Sequence, residues 1–227
     1  MSLYAWLMLG SFAGPFALSF DKKVAYYKQW PALFAGIFVN GIIFILWDGW
    51  FSKTGIWGFS EIYTMPYRIN HLPLEEWSFF VVIPYASVFI YACLKAYINK
   101  QPFGSSMHKI TLIFFLITAI LAIVFNNKTY TLVNCGVAAV LLIINYYLKP
   151  AYMGYFWLAY FIHLIPFLLV NGVLTGAVTP EPVVWYNNNE IIGLRILTIP
   201  VEDTIYALTC LLLPINIMEW LNKLKKA

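Results

Sequence analysis

Long apolar runs separated by short polar segments extend along the whole chain. Seven runs stand out, and they cover residues 2–20, 30–47, 75–98, 110–126, 129–148, 151–172 and 202–221. A helix rises about 1.5 Å per residue, so each run has about the 17–25 residues that cross about 30 Å of hydrocarbon. The pattern predicts an all-α integral membrane protein with seven transmembrane helices.

The composition agrees with this prediction. Of 227 residues, 62% are hydrophobic and 11% are charged, whereas a soluble domain has about 45–50% and about 25%. The formal net charge of +4 is scattered over loop ends, which favours contact with membrane lipid and not with nucleic acid. No His-x-x-x-His or Cys-x-x-Cys spacing and no glycine-rich nucleotide motif occurs, so neither a metal nor a nucleotide site is predicted.

Lysines orient the predicted bundle. They cluster in the first loop, in the connection between the third and fourth runs and in the tail: Lys22, Lys23 and Lys28; Lys95, Lys100 and Lys109; Lys223, Lys225 and Lys226. With seven spans these clusters share one side, which the positive-inside rule makes cytoplasmic. The N-terminus is then outside and the C-terminus cytoplasmic.

Acidic residues gather on the opposite side. Eight of the ten acidic residues, all except Asp21 and Glu219, lie in or beside the two long loops at 48–74 and 173–201. This asymmetry predicts a functional site there. We interpret Asp48 and Glu61 as solvated loop residues.

The two halves of the chain repeat each other. The segment RINHLPLEEW (68–77) matches RILTIPVEDT (195–204) without a gap, and Asn40-Gly41 and Trp57 match Asn171-Gly172 and Trp185. The pattern predicts two parallel three-helix repeats, residues 1–100 and 127–227, joined by a connector helix at 101–126.

Each repeat carries two adjacent acids at the start of an apolar run. A proline followed by acids suits the first turn of a helix, where the helix dipole favours negative charge. Acids near hydrocarbon are nevertheless functional candidates, and a buried adjacent pair can divide into a proton donor and a proton acceptor. The candidate catalytic residues are therefore Glu75, Glu76, Glu202 and Asp203.

Other side chains near the motifs are candidates for binding a substrate. Arg68 and Arg195 could tune the acids, His71 could shuttle protons, and the aromatic residues could stabilise a carbocation through their ring faces. Helix-to-helix hydrogen bonding explains the asparagines as well as site lining does. The candidates are Asn40, Asn171, Arg68, Arg195, Trp57, Trp185 and His71.

The segments HLPLEEWSFFVVIPY (71–85) and GLRILTIPVEDTIYALTCLLLPIN (193–216) resemble the two signature segments of the heterodimeric-type lycopene cyclases. In that family two small membrane subunits, or one chain that fuses both, cyclise the ends of lycopene. Residues 1–100 resemble the first subunit and about 127–227 the second, so the chain looks like the fused form.

This resemblance implies an acid-initiated isomerisation of lycopene, or other linear carotenoids, to γ-carotene and then β-carotene. The four motif acids would carry the proton transfers, no bound cofactor would be required, and the location would be a bacterial or archaeal plasma membrane. Association with other carotenoid enzymes or with a second copy is left open. Two alternatives remain: a carotenoid hydratase, in which water captures the same cation, and a non-enzymatic seven-helix carrier of lipids or protons.

Overall fold

The structure is a computed structural model that describes residues 1–225. Lys226 and Ala227, the last residues of the predicted second repeat, lie outside the described residues. Seven helices make up most of the described chain: α1 (Leu3–Leu18), α2 (Trp30–Thr54), α3 (Leu74–Tyr97), α4 (Ser106–Val124), α5 (Thr129–Leu148), α6 (Met153–Leu174) and α7 (Glu202–Leu224).

Six of these helices are long and apolar enough to cross a membrane. α1 is also apolar but has only 16 residues. The helices leave many large apolar side chains exposed, such as Leu46, Ile123 and Leu169, as a bundle surrounded by lipid does. The predicted all-α membrane fold is therefore confirmed, and the chain is an integral membrane protein.

α2 continues about two turns beyond the end that hydropathy predicts. Its apolar residues keep a helical spacing through Phe44, Trp47 and Phe51, and the helix ends at Gly55, whose φ of 73° suits a glycine C-cap. Asp48 therefore lies inside a helix and is only 2% exposed. Its interpretation as a solvated loop residue was wrong.

Six short strands, which the sequence did not predict, occupy the two long loops. Hairpins β2–β3 (Arg68–Ile69, Leu72–Pro73) and β5–β6 (Arg195–Ile196, Ile199–Pro200) immediately precede α3 and α7, and in each the arginine pairs with the proline. The remaining strands, β1 (Trp57–Phe59) and β4 (Val184–Tyr186), pair with each other. This last pairing ties the two loops together.

Corresponding helices of the two halves pack alike. α1 packs on α3 as α5 packs on α7, and α2 packs on α7 as α6 packs on α3, while α4 lies against α5 and α6. The contact between α2 and α7 is close at Gly36, where a Cβ atom would lie 2.7 Å from the Pro214 carbonyl oxygen. These contacts accord with the predicted repeats, whose boundaries remain a prediction.

Candidate functional site

The first acid of each motif fastens a loop to the helices. A Glu75 carboxylate oxygen accepts hydrogen bonds from the Met65 backbone N–H at 2.7 Å and from the Ser2 hydroxyl. The corresponding Glu202 oxygen accepts from the Ile192 backbone N–H at 2.6 Å and from the Thr131 hydroxyl at 2.7 Å. Both backbone donors lie ten residues before the acid. Glu75 and Glu202 are fully buried, and neither lines the pocket that the second acids face.

The second acid of each motif faces a pocket between the two halves. Glu76 of α3 and Asp203 of α7 both line it, together with Asp48 of α2. The three carboxyl groups are at most 6% exposed. The two halves therefore place their motifs at one common pocket, which we call the acid pocket.

Asp203 is surrounded by hydrogen-bond donors. The Tyr130 hydroxyl donates to one oxygen at 2.6 Å, while the Asn171 amide and the Tyr186 hydroxyl donate to the other at 2.7 and 2.9 Å. Burial raises the pKa of Tyr186 well above its ordinary value, and the nearby Asp203 carboxylate raises it further. Tyr186 thus keeps its proton, and the three donors favour the ionised form of Asp203.

Glu76 has different partners. The Tyr4 hydroxyl donates to it at 2.6 Å, and the buried Asp48 carboxyl lines the same pocket. Asp48 in turn accepts a hydrogen bond from the Tyr206 hydroxyl at 3.1 Å. The first half therefore contributes a pair of acids to the acid pocket, and the second half contributes one acid.

Aromatic rings form most of the remaining wall. Trp57 stands edge-on to Tyr130, Tyr186 and Tyr206, with ring centroids 5.1 to 6.1 Å apart, and Phe79 completes this side. The free volume of the acid pocket is about 50 Å³. Such a pocket offers ring faces to a cation while its buried walls exclude water.

A larger apolar cleft adjoins the acid pocket. It lies between α1, α3 and α6, has a free volume of about 450 Å³, and shares Phe79, Phe167, Asn171 and Leu174 with the acid pocket. Its further lining residues are Trp6, Leu7, Gly10, Ser11, Pro15, Ile83, Ala86, Ser87, Phe89, Ile90, His163, Pro166 and Val170. We call it the apolar cleft.

Three of the predicted binding residues lie away from the acid pocket. Arg68 is exposed and donates to the Met65 carbonyl and the Thr64 hydroxyl, while Arg195 is exposed and donates to the Thr198 carbonyl and the Asn188 side chain. His71 is exposed in the β2–β3 turn. The arginines hold loop oxygens and do not reach the acids.

Of the predicted asparagines and tryptophans, one of each lies at the acid pocket and one of each lies away from it. Asn171 and Trp57 line the acid pocket, as described above. Asn40 is buried deeper in the bundle and donates to the Cys210 sulfur at 3.7 Å. Trp185 is 42% exposed and packs on Gly58, where a Cβ atom would lie 2.3 Å from its ring.

Sequence reasoning missed Asp48 and the four tyrosines that bond the acids. The signal for Asp48 was its position one helical turn after Phe44 and before Phe51. The chain has 16 tyrosines, so nothing singled out Tyr4, Tyr130, Tyr186 and Tyr206. Within residues 1–225, no group of three or more His, Cys, Asp or Glu is arranged to hold a metal ion.

Comparison with known families supplies the identification. The family model described as lycopene cyclase matches residues 1–94 and 127–221, which together span most of the chain. The chain belongs to the lycopene cyclase family. No curated protein and no solved structure matches the chain. Membership makes the protein a membrane enzyme of carotenoid biosynthesis, a carotenoid cyclase that acts on a linear carotenoid.

Proposed function

We propose that the protein is a lycopene β-cyclase that closes linear ψ end groups to β-ionone rings without net redox change. One observation carries this proposal: Glu76 and Asp203, one from each half, face a single buried pocket walled by aromatic rings. A carboxylic acid can give a proton to an alkene there, and a carboxylate can take one back. In reaction class the enzyme would be an intramolecular lyase, which is an isomerase.

The reaction would proceed in three steps. An acid O–H protonates the terminal C=C bond of the ψ end group and leaves a tertiary cation. The neighbouring C=C bond attacks that cation, so a six-membered ring closes and the positive charge moves onto a ring carbon. A carboxylate then removes a ring proton and the β-ring double bond forms. One proton enters, one proton leaves and no electrons are exchanged.

The aromatic wall suits the cationic intermediates. Trp57, Phe79 and Tyr206 present rings to the acid pocket, and ring faces attract cations by about 2 kcal/mol or more where water is excluded. The burial of the wall side chains also favours ring closure over capture of the cation as an alcohol. This burial supports a cyclase in preference to the hydratase alternative.

The apolar cleft would hold the polyene chain behind the reacting end group. Along α3 it extends from Phe79 to Ile90, which is about 16 Å at the rise of a helix. An extended lycopene molecule is longer than this. One end group would therefore reach the acid pocket through the cleft while the other end stays in lipid.

The repeated segments and the lysine clusters indicate how the chain is arranged in the membrane. We propose that residues 1–100 and 127–227 are parallel repeats joined by the connector at 101–126, and that the N-terminus and the acid pocket lie towards the outer face. The described lysine clusters, at Lys22 to Lys28, Lys95 to Lys109 and Lys223 to Lys225, support this orientation in a bacterial or archaeal plasma membrane.

Expression in lycopene-accumulating cells, with pigment analysis by chromatography and absorbance, tests the proposal. We expect γ- and β-carotene from the wild type and unchanged lycopene from Glu76→Gln at equal protein level. A hydroxylated product would make the protein a hydratase. Unchanged lycopene with well-expressed wild-type protein would contradict the cyclase proposal and favour the carrier.

A further inference from the structure

We propose that Asp48 and Glu76 share one proton and together form the proton donor, and that Asp203 is the proton acceptor. This inference rests on the proposed cyclisation and deepens it, because it assigns opposite roles to the acids of the two halves. It also adds a catalytic residue that lies outside both repeated motifs.

Proximity of the two carboxyl groups in one small pocket carries the first step. Asp48 and Glu76 both line the acid pocket, whose free volume is about 50 Å³, and they are 2% and 6% exposed. Two negative charges held this close together and out of water would repel strongly. The pair therefore retains one proton.

In the described part of the chain, no group that faces the pair supplies a positive charge that would stabilise two ionised carboxylates side by side. Tyr4 donates to Glu76 and Tyr206 donates to Asp48, so each acid has one neutral donor besides its partner. The titratable groups that face the pair are Tyr4 of α1, Glu75 of α3, Tyr186 of β4, and Asp203, Tyr206 and Cys210 of α7. None of these groups is a cation. The one ion pair within residues 1–225 joins Lys95 to Glu219, neither of which lines the acid pocket.

Asp203 is equipped for the opposite role. Its oxygens accept three hydrogen bonds, from Tyr130, Asn171 and Tyr186, and no second carboxyl group is among these partners. Three donated bonds stabilise a carboxylate. In each ring closure the pair loses a proton to the substrate and Asp203 gains one from the ring. Between turnovers Asp203 releases its proton to water and the pair takes one up from water, so no co-reactant is consumed.

The dependence of ring formation on pH tests this inference. Membranes that contain the wild type, Asp48→Asn, Asp48→Glu or Glu76→Gln would convert lycopene at a series of pH values. In Asp48→Asn, an amide that can donate a hydrogen bond replaces the neighbouring carboxyl group, so Glu76 loses its proton more easily. The alkaline limb of its activity should therefore move to lower pH by about one unit or more. Asp48→Glu should restore most of the profile, and Glu76→Gln should be inactive.

The control is Glu61→Gln, because Glu61 is an exposed loop acid, and its profile should follow the wild type. An Asp48→Asn profile that coincides with the wild type would overturn the shared proton. A uniform loss at every pH, with protein level and melting temperature kept, would also overturn it, because it would assign Asp48 a purely structural role. A wild type that forms no rings would instead contradict the cyclase proposal itself.

Infrared spectroscopy of the purified proteins provides a second measurement that needs no activity. The C=O band of protonated carboxyl groups should persist to higher pH in the wild type than in Asp48→Asn, and in both it should shift in heavy water. Coincident titrations would overturn the inference. If Asp48→Asn does not fold, the titration of the C=O band in the wild type would be compared with that in Glu76→Gln instead.

Discussion

The two halves are built from corresponding helices but contribute different side chains to the acid pocket. Asp48 of α2 lines the acid pocket with Glu76, and Asn171 of α6 donates to Asp203 in the same pocket. On this correspondence, Trp47 and Val170 occupy the preceding position of each helix. The halves therefore differ twice, in the partner of the second acid and in the bulk of its neighbour.

The difference in bulk accounts for the apolar cleft beside Asn171. Trp47 and Phe51 fill the space beside α7 and pack against Tyr206 and Tyr130, whereas the corresponding Val170 and Leu174 line the open apolar cleft. We expect the substrate to enter the acid pocket through the apolar cleft. The two ends of lycopene would then be closed one after the other.

Removing the acceptor should have the largest effect. We expect Asp203→Asn to lower the rate of ring formation by about 10²–10⁴-fold, the usual contribution of a positioned acid or base. The rate would be measured in membranes and normalised to folded protein, with Asp203→Glu as the conservative control. Activity within a few-fold of the wild type would place the base elsewhere.

Closing the apolar cleft should have the next largest effect. Val170→Trp copies the bulk of Trp47 into the open side, where it would occupy space that the polyene chain needs. We expect kcat/KM for lycopene to fall by about tenfold or more, which corresponds to about 1.4 kcal/mol of lost binding. Val140→Trp, at a position of α5 that is 57% exposed, is the matched control and should leave the rate unchanged. Equal activity of both variants would mean that substrate enters by another route.

Removing the carboxyl group of Glu75 or Glu202, each of which fastens a loop to the helices, should affect stability more than catalysis. Glu75→Ala leaves the Met65 N–H without its acceptor and Glu202→Ala does the same to Ile192, at a cost of about 1–3 kcal/mol each. We expect lower melting temperatures in both variants and a rate per folded molecule within a few-fold of the wild type. A stable but inactive variant would show that the first acid also takes part in catalysis.

The smallest effect is expected at the arginines of the two hairpins. Arg68→Ala and Arg195→Ala remove exposed hydrogen bonds to loop oxygens, which usually changes stability by about 0.5 kcal/mol or less. Steady-state kinetics should show less than about a threefold change in the rate. A change in the pH profile of either variant would instead connect that arginine to the acids.

The repeated motif was enough to predict the starts of α3 and α7, and it singled out four acids that are buried in the structure. It could not separate the roles of Glu75 and Glu76, because adjacent residues on a helix point about 100° apart and only packing decides which one faces the acid pocket. The arginines were placed near the acids because they precede each proline by five residues. Hairpins that nothing in the sequence pattern predicted turn them outward instead.

Helix register explains the other differences from the sequence predictions. The shared Asn-Gly dipeptide aligned Asn40 with Asn171, but in the structure Asp48 and not Asn40 lines the acid pocket together with Asn171. Hydropathy ended the second span at Trp47 because Asp48 follows it. A buried acid inside a membrane helix interrupts an apolar run, so hydropathy alone tends to place it in a loop.

Deuterium incorporation tests the central claim most directly. Wild-type membranes would convert lycopene in heavy water, and mass spectrometry would count the deuterium in the cyclised product. Protonation followed by loss of a different ring proton predicts one deuterium per ring and no other change in composition. A cyclised product without deuterium, or one that has gained oxygen, would contradict acid-initiated, non-redox ring closure.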